Sequence, residues 1–541
     1  MYITEVKSEN KGKEYKSILI RESYRDNGEV KNRTIANISK LPPELIRNIK
    51  SFLRGQQGEF NLSDLENGVN YEYGASYALK ELSRQIGLEN AIFSTKTEWR
   101  ENVMAMIIGR ILYQGSKLSL VNTFNDSALW ELAGHVYGER PNVDKHCYQP
   151  MDELLKRKNK IERKFAKKHF QNGCIILYDM TNTWLEGEYE DSETVTYGQG
   201  KGGKRGYKQI ALGLLTNNEG CPVAVEVFKG NTSDQTTVLD QVKKISETYG
   251  IKEAVFTGDR GMLTQKRINE LKETDFKIIT ALTHAELKTL INKENIQMDL
   301  FDQMNITEIV DSEDKITRYM LCKNDKEMRK ERATRSKLIA RVKDLLIKKA
   351  TVKRKRQANK VSASVGRIFA KYRIEKFFNW NVEEKGKLSW SLKYDVIENE
   401  EELDGCYVIK TDAGKTKLNK HETVDCYRDL QKVEQAFKNM KTVMLELRPI
   451  HHKTDDRIEA HIFIVMLAYY LQWHAMQKLK PLFDADEKGK DKRWTFEGVV
   501  DRLKSIRKIE NLIDGVVVKT NISIPDEEQK QILGLLDISL A

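Results

Sequence analysis

The sequence predicts an α/β protein built on a mixed β-sheet, preceded by a small β-hairpin unit and a helical domain. Three observations carry this. Short apolar strands alternate with capped helices between Cys174 and Leu282, the pattern of an α/β core. Tyr73 to Phe170 carries apolar residues at helical spacing, such as Val103, Met106, Ile107, Ile111 and Leu112. A strongly basic stretch from Lys326 to Lys360 then separates the core from a helix that resumes at Val424, which marks an inserted domain.

In chain order, Ser17 to Tyr24 reads as a strand, Asp26-Asn27-Gly28 as a tight turn and Glu29 to Ile35 as the returning strand. After the helical stretch, Cys174 to Asp179 is a buried strand. Tyr207 to Thr216 and Pro222 to Lys229 form a hairpin across Asn217-Asn218-Glu219-Gly220. Thr232 to Gln235 offers a capping box for a helix through Val238, Val242 and Ile245 that stops at Gly250. Ala254 to Thr257 is a further strand, Gln265 to Lys272 a helix and Lys277 to Leu282 another strand. Lys326 to Lys360 holds fifteen Lys or Arg against three acids, with Leu338, Val342, Leu345 and Leu346 at helical spacing, and reads as one long basic helix or a pair. Alternation returns from Leu388 to Ile397 and in Cys406-Tyr-Val-Ile, both read as strands of the insertion. The expected division is 1–65 β-hairpin, 66–172 helical and DNA-binding, 173–284 first part of the core, 285–420 insertion, 421–480 last part of the core and 481–541 a C-terminal helical region.

The chain has 541 residues, with 91 Lys and Arg against 80 Asp and Glu, a net charge of +11 that favours a polyanionic partner. Cys147, Cys174, Cys221, Cys322, Cys406 and Cys426 are scattered, with no C-x-x-C pair and no disulfide framework. The first residues have no apolar signal core, and the longest apolar run, Ile462 to Leu471, is too short to span a bilayer. The expectation is a cytoplasmic protein without a membrane role.

Asp179 follows the apolar run Ile175-Ile-Leu-Tyr, and Asp259 follows Ala254-Val-Phe-Thr-Gly, so each is expected at the carboxyl end of a buried strand, where α/β sheets bind ligands. Alone, each also reads as a turn former; they converge only if the two strands are neighbours. Tyr427, Leu430, Val433, Phe437, Met440 and Met444 form the apolar stripe of a core-facing helix, and Tyr427, Glu434 and Lys441, seven apart, lie along its edge. Glu434 either meets a cation or hydrogen-bond donor there, or it snorkels to solvent or pairs with Lys438 at i+4. Three converging carboxylates are hard oxygen ligands suited to Mg²⁺ or Mn²⁺, and two such ions about 4 Å apart support in-line phosphodiester displacement.

These residues resemble the DDE insertion-sequence transposases. Leu177-Tyr-Asp-Met-Thr looks like the first-acid strand, Gly230-Asn-Thr-Ser-Asp234 the turn after the third strand, and Phe256-Thr-Gly-Asp-Arg-Gly261 the second-acid strand. Tyr427 to Lys441 resembles the Tyr-x2-Arg-x3-Glu-x6-Lys signature, although Leu430 stands where that signature has Arg, and Arg428 lies two residues away. Leu447-Arg-Pro-Ile-His resembles one subgroup of the family. The resemblance implies an RNase H-like fold with a mixed five-stranded sheet, the first strand beside the fourth, and an insertion before the last acid. It implies DNA cleavage and strand transfer by Asp179, Asp259 and Glu434 with two Mg²⁺ or Mn²⁺ ions, on double-stranded DNA (terminal inverted repeats and target), in a homodimer. A nuclease without strand transfer and a catalytically silent DNA-binding protein are the other readings.

Beside the acids, Tyr197 to Gly206 contains G-x4-G-K, but Arg205 replaces the P-loop Ser or Thr and a strand follows, which excludes an ATP site. Lys201, Lys204, Arg205 and Lys208 are candidate DNA-backbone contacts or parts of a solvated loop, and Arg260, Tyr427, Arg428 and Lys441 are further candidate DNA contacts. The basic stretch is either a solvated helix or a DNA-contacting one. Trp380 and Trp390 suit core packing or contact with an unstacked base. His451, His452, His461 and His474 fit no zinc spacing and are read as polar or core residues.

Overall fold

The computed structural model describes residues 1–10, 13–26, 29–54, 65–198, 206–294, 296–301, 306–351, 357–442, 445–486, 493–513 and 516–540. The chain divides into two compact units, Met1–Glu153 with Leu471–Ala541, and Leu154–Tyr470.

The first unit begins with an antiparallel meander of β1 (Tyr2–Asn10), β2 (Lys13–Asp26) and β3 (Glu29–Asn37). β1 was not expected; its charged and polar side chains mask the strand pattern because the sheet buries little on either face. Asn27 and Gly28 of the expected turn lie outside the described residues. β4 (Leu65–Glu72) runs into the helix Gly74–Gln85, whose first amides are met by the Glu72 carboxylate, which accepts from Ala75 N at 2.9 Å and Ser76 N at 3.0 Å. Below it, the Lys80 amine lies 2.6 Å from Glu101 and 2.8 Å from Glu89, both shared with Arg100, so these buried charges are compensated.

Among the described residues of the second unit, nine strands form one sheet. They are β5 (Cys174–Trp184), β6 (Thr196–Tyr197), β7 (Lys208–Asn217), β8 (Pro222–Lys229), β9 (Ala254–Thr257), β10 (Lys277–Ala281), β11 (Thr307–Val310), β12 (Arg318–Lys323) and, after the hairpin β13 (Phe378–Val382) and β14 (Leu388–Leu392), β15 (Cys406–Thr411). The order is β11-β12-β15-β10-β9-β5-β7, with β8 and β6 along the outer edge of β7. β5, β9 and β10 are parallel; every other pairing is antiparallel. The sheet is therefore wider than the five strands expected, because β11, β12 and β15, all from the stretch read as an insertion, continue it past β10. The hairpin turn of β7 and β8 closes at Gly220 with φ +84°, a conformation that glycine adopts without strain.

The helix expected after β8 runs Asp234–Lys243 and continues as one wide turn to Thr248 before Gly250. Its cap is Ser233 with no side-chain capping bond, so the expected capping box is not formed. The basic stretch is a pair of helices, Asp325–Ala350 and Ala358–Tyr372, with part of their connection outside the described residues. Val342 and Leu346 pack with Val361, Val365 and Phe369, and the β13–β14 hairpin covers this cluster. Trp380 and Trp390 face each other across that hairpin and pack on the same cluster. The alternation expected to continue through Tyr394 to Ile397 ends at Leu392; Tyr394–Glu402 is a helix, with Asp395 in its first turn where the dipole favours a carboxylate.

Back in the first unit, β16 (Arg507–Ile513) and β17 (Val516–Ile522) form a sheet with β4 in the order β17-β16-β4, strands that the helical reading of the C-terminal segment did not anticipate. No helix among the described residues is long and apolar enough to cross a membrane.

Candidate active site

The register of two strands sets the site. β5 and β9 pair in parallel with Cys174 opposite Ala254 and Leu177 opposite Thr257. Two residues beyond the Leu177–Thr257 pair come Asp179, still within β5, and Asp259, just past the end of β9. Buried Ile176, Leu177, Phe256 and Thr257 fix both strands just before the acids. Asp179 is not at the end of its strand: β5 runs on to Trp184 because β7 keeps pairing with it, Asp179 lying opposite Leu214. Asp259 does leave its strand, and the Arg260 amide bonds back to its carboxylate at 2.8 Å.

The third acid comes from the helix Leu430–Lys441. The helix expected as one runs as two, Lys420–Arg428 and Leu430–Lys441, separated at Asp429, whose amide still bonds to the Asp425 carbonyl at 2.9 Å. Val433, Ala436, Phe437 and Met440 are its buried face; Met444 lies outside the described residues. Glu434 is exposed on the edge of that face and pairs with no lysine or arginine among the described residues, Lys438 included. The Lys441 amine donates to the Thr181 hydroxyl and, at 2.8 Å, to the Asn182 carbonyl, which ties the end of this helix to β5 just past Asp179.

Asp179, Asp259 and Glu434 line one cleft of about 380 Å³, with Asn324, Tyr407 and Tyr427 in its wall and Arg428 and Leu430 beside them. Their oxygens do not all lie within 4.8 Å of one another, so the acids are spread along the wall. The Tyr427 hydroxyl is pushed up to about 12 by burial first and then by the carboxylates of Asp259 and Glu434, against the opposing Arg260 guanidinium. Arg428 donates to the Tyr407 hydroxyl at 3.1 Å and lies 3.6 Å from Asp425. Arg260 is exposed and lines a neighbouring cavity of about 720 Å³ that shares Tyr407 and Tyr427 with the cleft.

A donor set of three carboxylates in one cleft, one on β5, one just past the end of β9 and one on an exposed helix edge, offers the hard oxygen ligands that suit a divalent cation.

Residues 170–471 match the family profile of the transposase DDE domain, and residues 3–64 match the N-terminal domain of the IS1634 family transposases. The chain belongs to the DDE transposases. As an insertion-sequence DDE transposase it is an enzyme of DNA cleavage and strand transfer. No curated protein matches the chain. Among solved structures, the piggyBac transposase synaptic complex with hairpin DNA is 10% identical with a TM-score of 0.35, covering 80% of this chain and 76% of that one. The Mos1 transposase paired-end complex with left transposon end is 14% identical with a TM-score of 0.15, covering 44% and 68%. At scores this low, neither likeness bears on how this chain works.

Of the other candidates, Lys201, Lys204 and Arg205 lie outside the described residues. Lys208 is half-buried at the start of β7 and reaches the Tyr189 carbonyl at 3.4 Å. His461 bonds to the Leu447 carbonyl at 3.1 Å, and its ring lies 5.5 Å from that of His452, tilted by 50°. Sequence reasoning missed Asn324 and Tyr407. Asn324 had a signal: with Glu327 three residues on, it reads as a helix start, and its side chain does accept from Lys326 N and Glu327 N. Tyr407 had none, since its place depends on β15 joining the sheet.

Proposed function

We propose that this transposase cuts and joins DNA at the acid-lined cleft, with Asp179, Asp259 and Glu434 as the residues that hold two Mg²⁺ or Mn²⁺ ions. The observation that carries the reading is that three acids, far apart in sequence, line a single cleft. When bound, the ions would supply an activated water or 3′-hydroxyl and neutralise the leaving oxygen of an in-line displacement. The chain's own part is to fix the ligands: paired β5 and β9 carry Asp179 and, just past the strand end, Asp259, and the Lys441 tether sets the helix that presents the third. The strand order β8-β7-β5-β9-β10 supports an RNase H-like core, with the first-acid strand beside the fourth.

Arg428 takes the phosphate-binding role that Leu430 leaves vacant, because it lines the same cleft and its guanidinium is oriented by Tyr407. Arg260 and Tyr427 border the strand's path, Lys208 contacts DNA at the edge of the sheet, and Lys441 positions Glu434 rather than binding DNA. The segments 1–65 and 66–172 recognise the transposon ends, 173–284 and 421–480 form the core around the insertion 285–420, 481–541 completes the chain, and a homodimer pairs two ends.

Asp259→Ala tests the reading: cleavage is expected to vanish while end binding persists, and a variant that still cuts would show the site to be elsewhere. Offering a pre-cleaved end with a free 3′-hydroxyl and a target plasmid separates strand transfer from simple nuclease action, since a nuclease yields no joined product.

A further inference from the structure

The helix Asp325–Ala350 carries a feature that the acid cleft does not use. Lys326, Lys330, Lys337, Arg341 and Lys348 follow one another at spacings of four and seven residues. At ~100° per residue they fall within an arc of about 60°, and at ~1.5 Å per residue the row is about 33 Å long. All five are exposed. Lys330 meets Glu327 at 3.1 Å, and the other four have no carboxylate partner among the described residues. The opposite side of the helix holds Val342 and Leu346, packed against Val361, Val365 and Phe369, so packing in the second unit turns the cationic row outward.

Asp344 falls on the same arc, between Arg341 and Lys348, and forms an ion pair with neither, so the face carries five cations against one acid and is self-repulsive on balance. A duplex offers the complement, about one negative charge per 1.7 Å of axis and one turn per ~34 Å. The row also starts beside the chemistry: Asn324, which caps this helix through Lys326 N at 3.0 Å, lines the cleft with the three acids.

We propose that this face is a rail for the phosphate backbone of the duplex being cut, running outward from the cleft for about one helical turn. The assignment rests on the reading of the acid cleft as the cleavage site. Contacts of this kind position a duplex without reading its sequence.

The test uses the full chain and a labelled duplex that carries the element's end with flanking DNA, titrated over a range of salt. Lys337→Gln, Arg341→Gln and Lys348→Gln together lie well away from the cleft and keep good helix formers in place. Because the triple variant neutralises three phosphate-facing cations, the slope of log affinity against log salt is expected to flatten by about 2 to 3. Lys343→Gln is the control, equal in charge to Lys337→Gln but about 120° round the helix; it should leave the slope at the wild-type value. The proposal is overturned by an unchanged slope in the triple variant, by an equal effect of Lys343→Gln and Lys337→Gln, or by a loss confined to target DNA. Asp259→Asn, run alongside, is expected to bind with the wild-type slope and not to cut. If it cuts, the reading of the cleft fails; if it behaves as expected while the triple variant keeps its slope, only the rail fails.

Discussion

Lys441 and Lys117 are two lysines taken from water for opposite ends. Lys441 exchanges hydration for the Thr181 hydroxyl and the Asn182 carbonyl, and through them sets the distance between the Glu434 helix and β5. Hydrogen bonds from a charged group contribute about 1.5–3 kcal/mol each, and misplacing a ligand by about 1 Å can lower a rate ~100-fold. Lys441→Met is expected to fold, to lose on the order of 2 kcal/mol in urea denaturation, and to cut 10-fold or more slowly while binding ends normally; wild-type cleavage would reject the positioning role. Lys117 has no such compensation. It is 4% exposed, and burial, then the Arg110 guanidinium, push its amine down to about 7, while the nearby Cys147 thiol is pushed up to about 12 and stays neutral. Since the folded value lies below the ordinary 10.5, the unfolded chain binds more protons between about 7 and 10.5, and stability rises with pH across that window. Below it the penalty of burying the charged amine is present in full. Lys117→Met should stabilise the first unit near neutral pH, with the gain over wild type shrinking towards pH 10; a gain that does not change with pH would reject this account.

At the scale of elements, the junction of Gly405 with Asn324 joins the insertion to the site. Gly405 has φ +71°, its carbonyl accepts from Asn324 N at 2.8 Å, and an added Cβ would stand 2.5 Å from the Asn324 carbonyl. Gly405→Ala is therefore expected to displace Asn324 and the first turn of the basic helix, with a loss of about 1–3 kcal/mol and slower cleavage, measured by denaturation and by turnover of a nicked-end substrate. The same junction marks where the sequence ceases to be readable. Ile175-Ile-Leu-Tyr and Ala254-Val-Phe-Thr are apolar throughout because parallel strands are buried on both faces, so β5 and β9 and the acids just beyond them could be read locally. The half-alternating Cys406–Thr411 reads like any hairpin strand, and its partners β10 and β12 are fixed by long-range packing that local sequence does not encode legibly. Tyr394 to Ile397 misled for the converse reason: alternation continues by chance past Leu392, while Asp395 stands in the first turn of a helix, where a carboxylate is favoured. Glu434 was legible only through its line with Tyr427 and Lys441, and the break at Asp429 is the part of that helix which periodicity could not reveal.

For the whole molecule, the acids and the sheet that holds them belong entirely to the unit Leu154–Tyr470, whereas Lys80, Glu89, Arg100, Glu101 and Lys117 belong to the other. A ligand that binds only the folded form of one unit stabilises that unit by mass action, about 2.7 kcal/mol at one hundred times its dissociation constant. Mn²⁺ should thus raise the unfolding transition of the acid-bearing unit. It should leave unmoved the transition in which the Lys80 and Lys117 environments are lost. Replacing Asp259 by Asn removes one proposed ligand and one negative charge, so that variant should lose most of the Mn²⁺ increment and, relieved of repulsion from Asp179 and Glu434, should match or exceed wild type when the metal is chelated. Calorimetric scans with Mn²⁺ and with chelator check both parts: an equal Mn²⁺ shift in wild type and Asp259→Asn would place the metal away from this cleft, whatever the cleavage assays report.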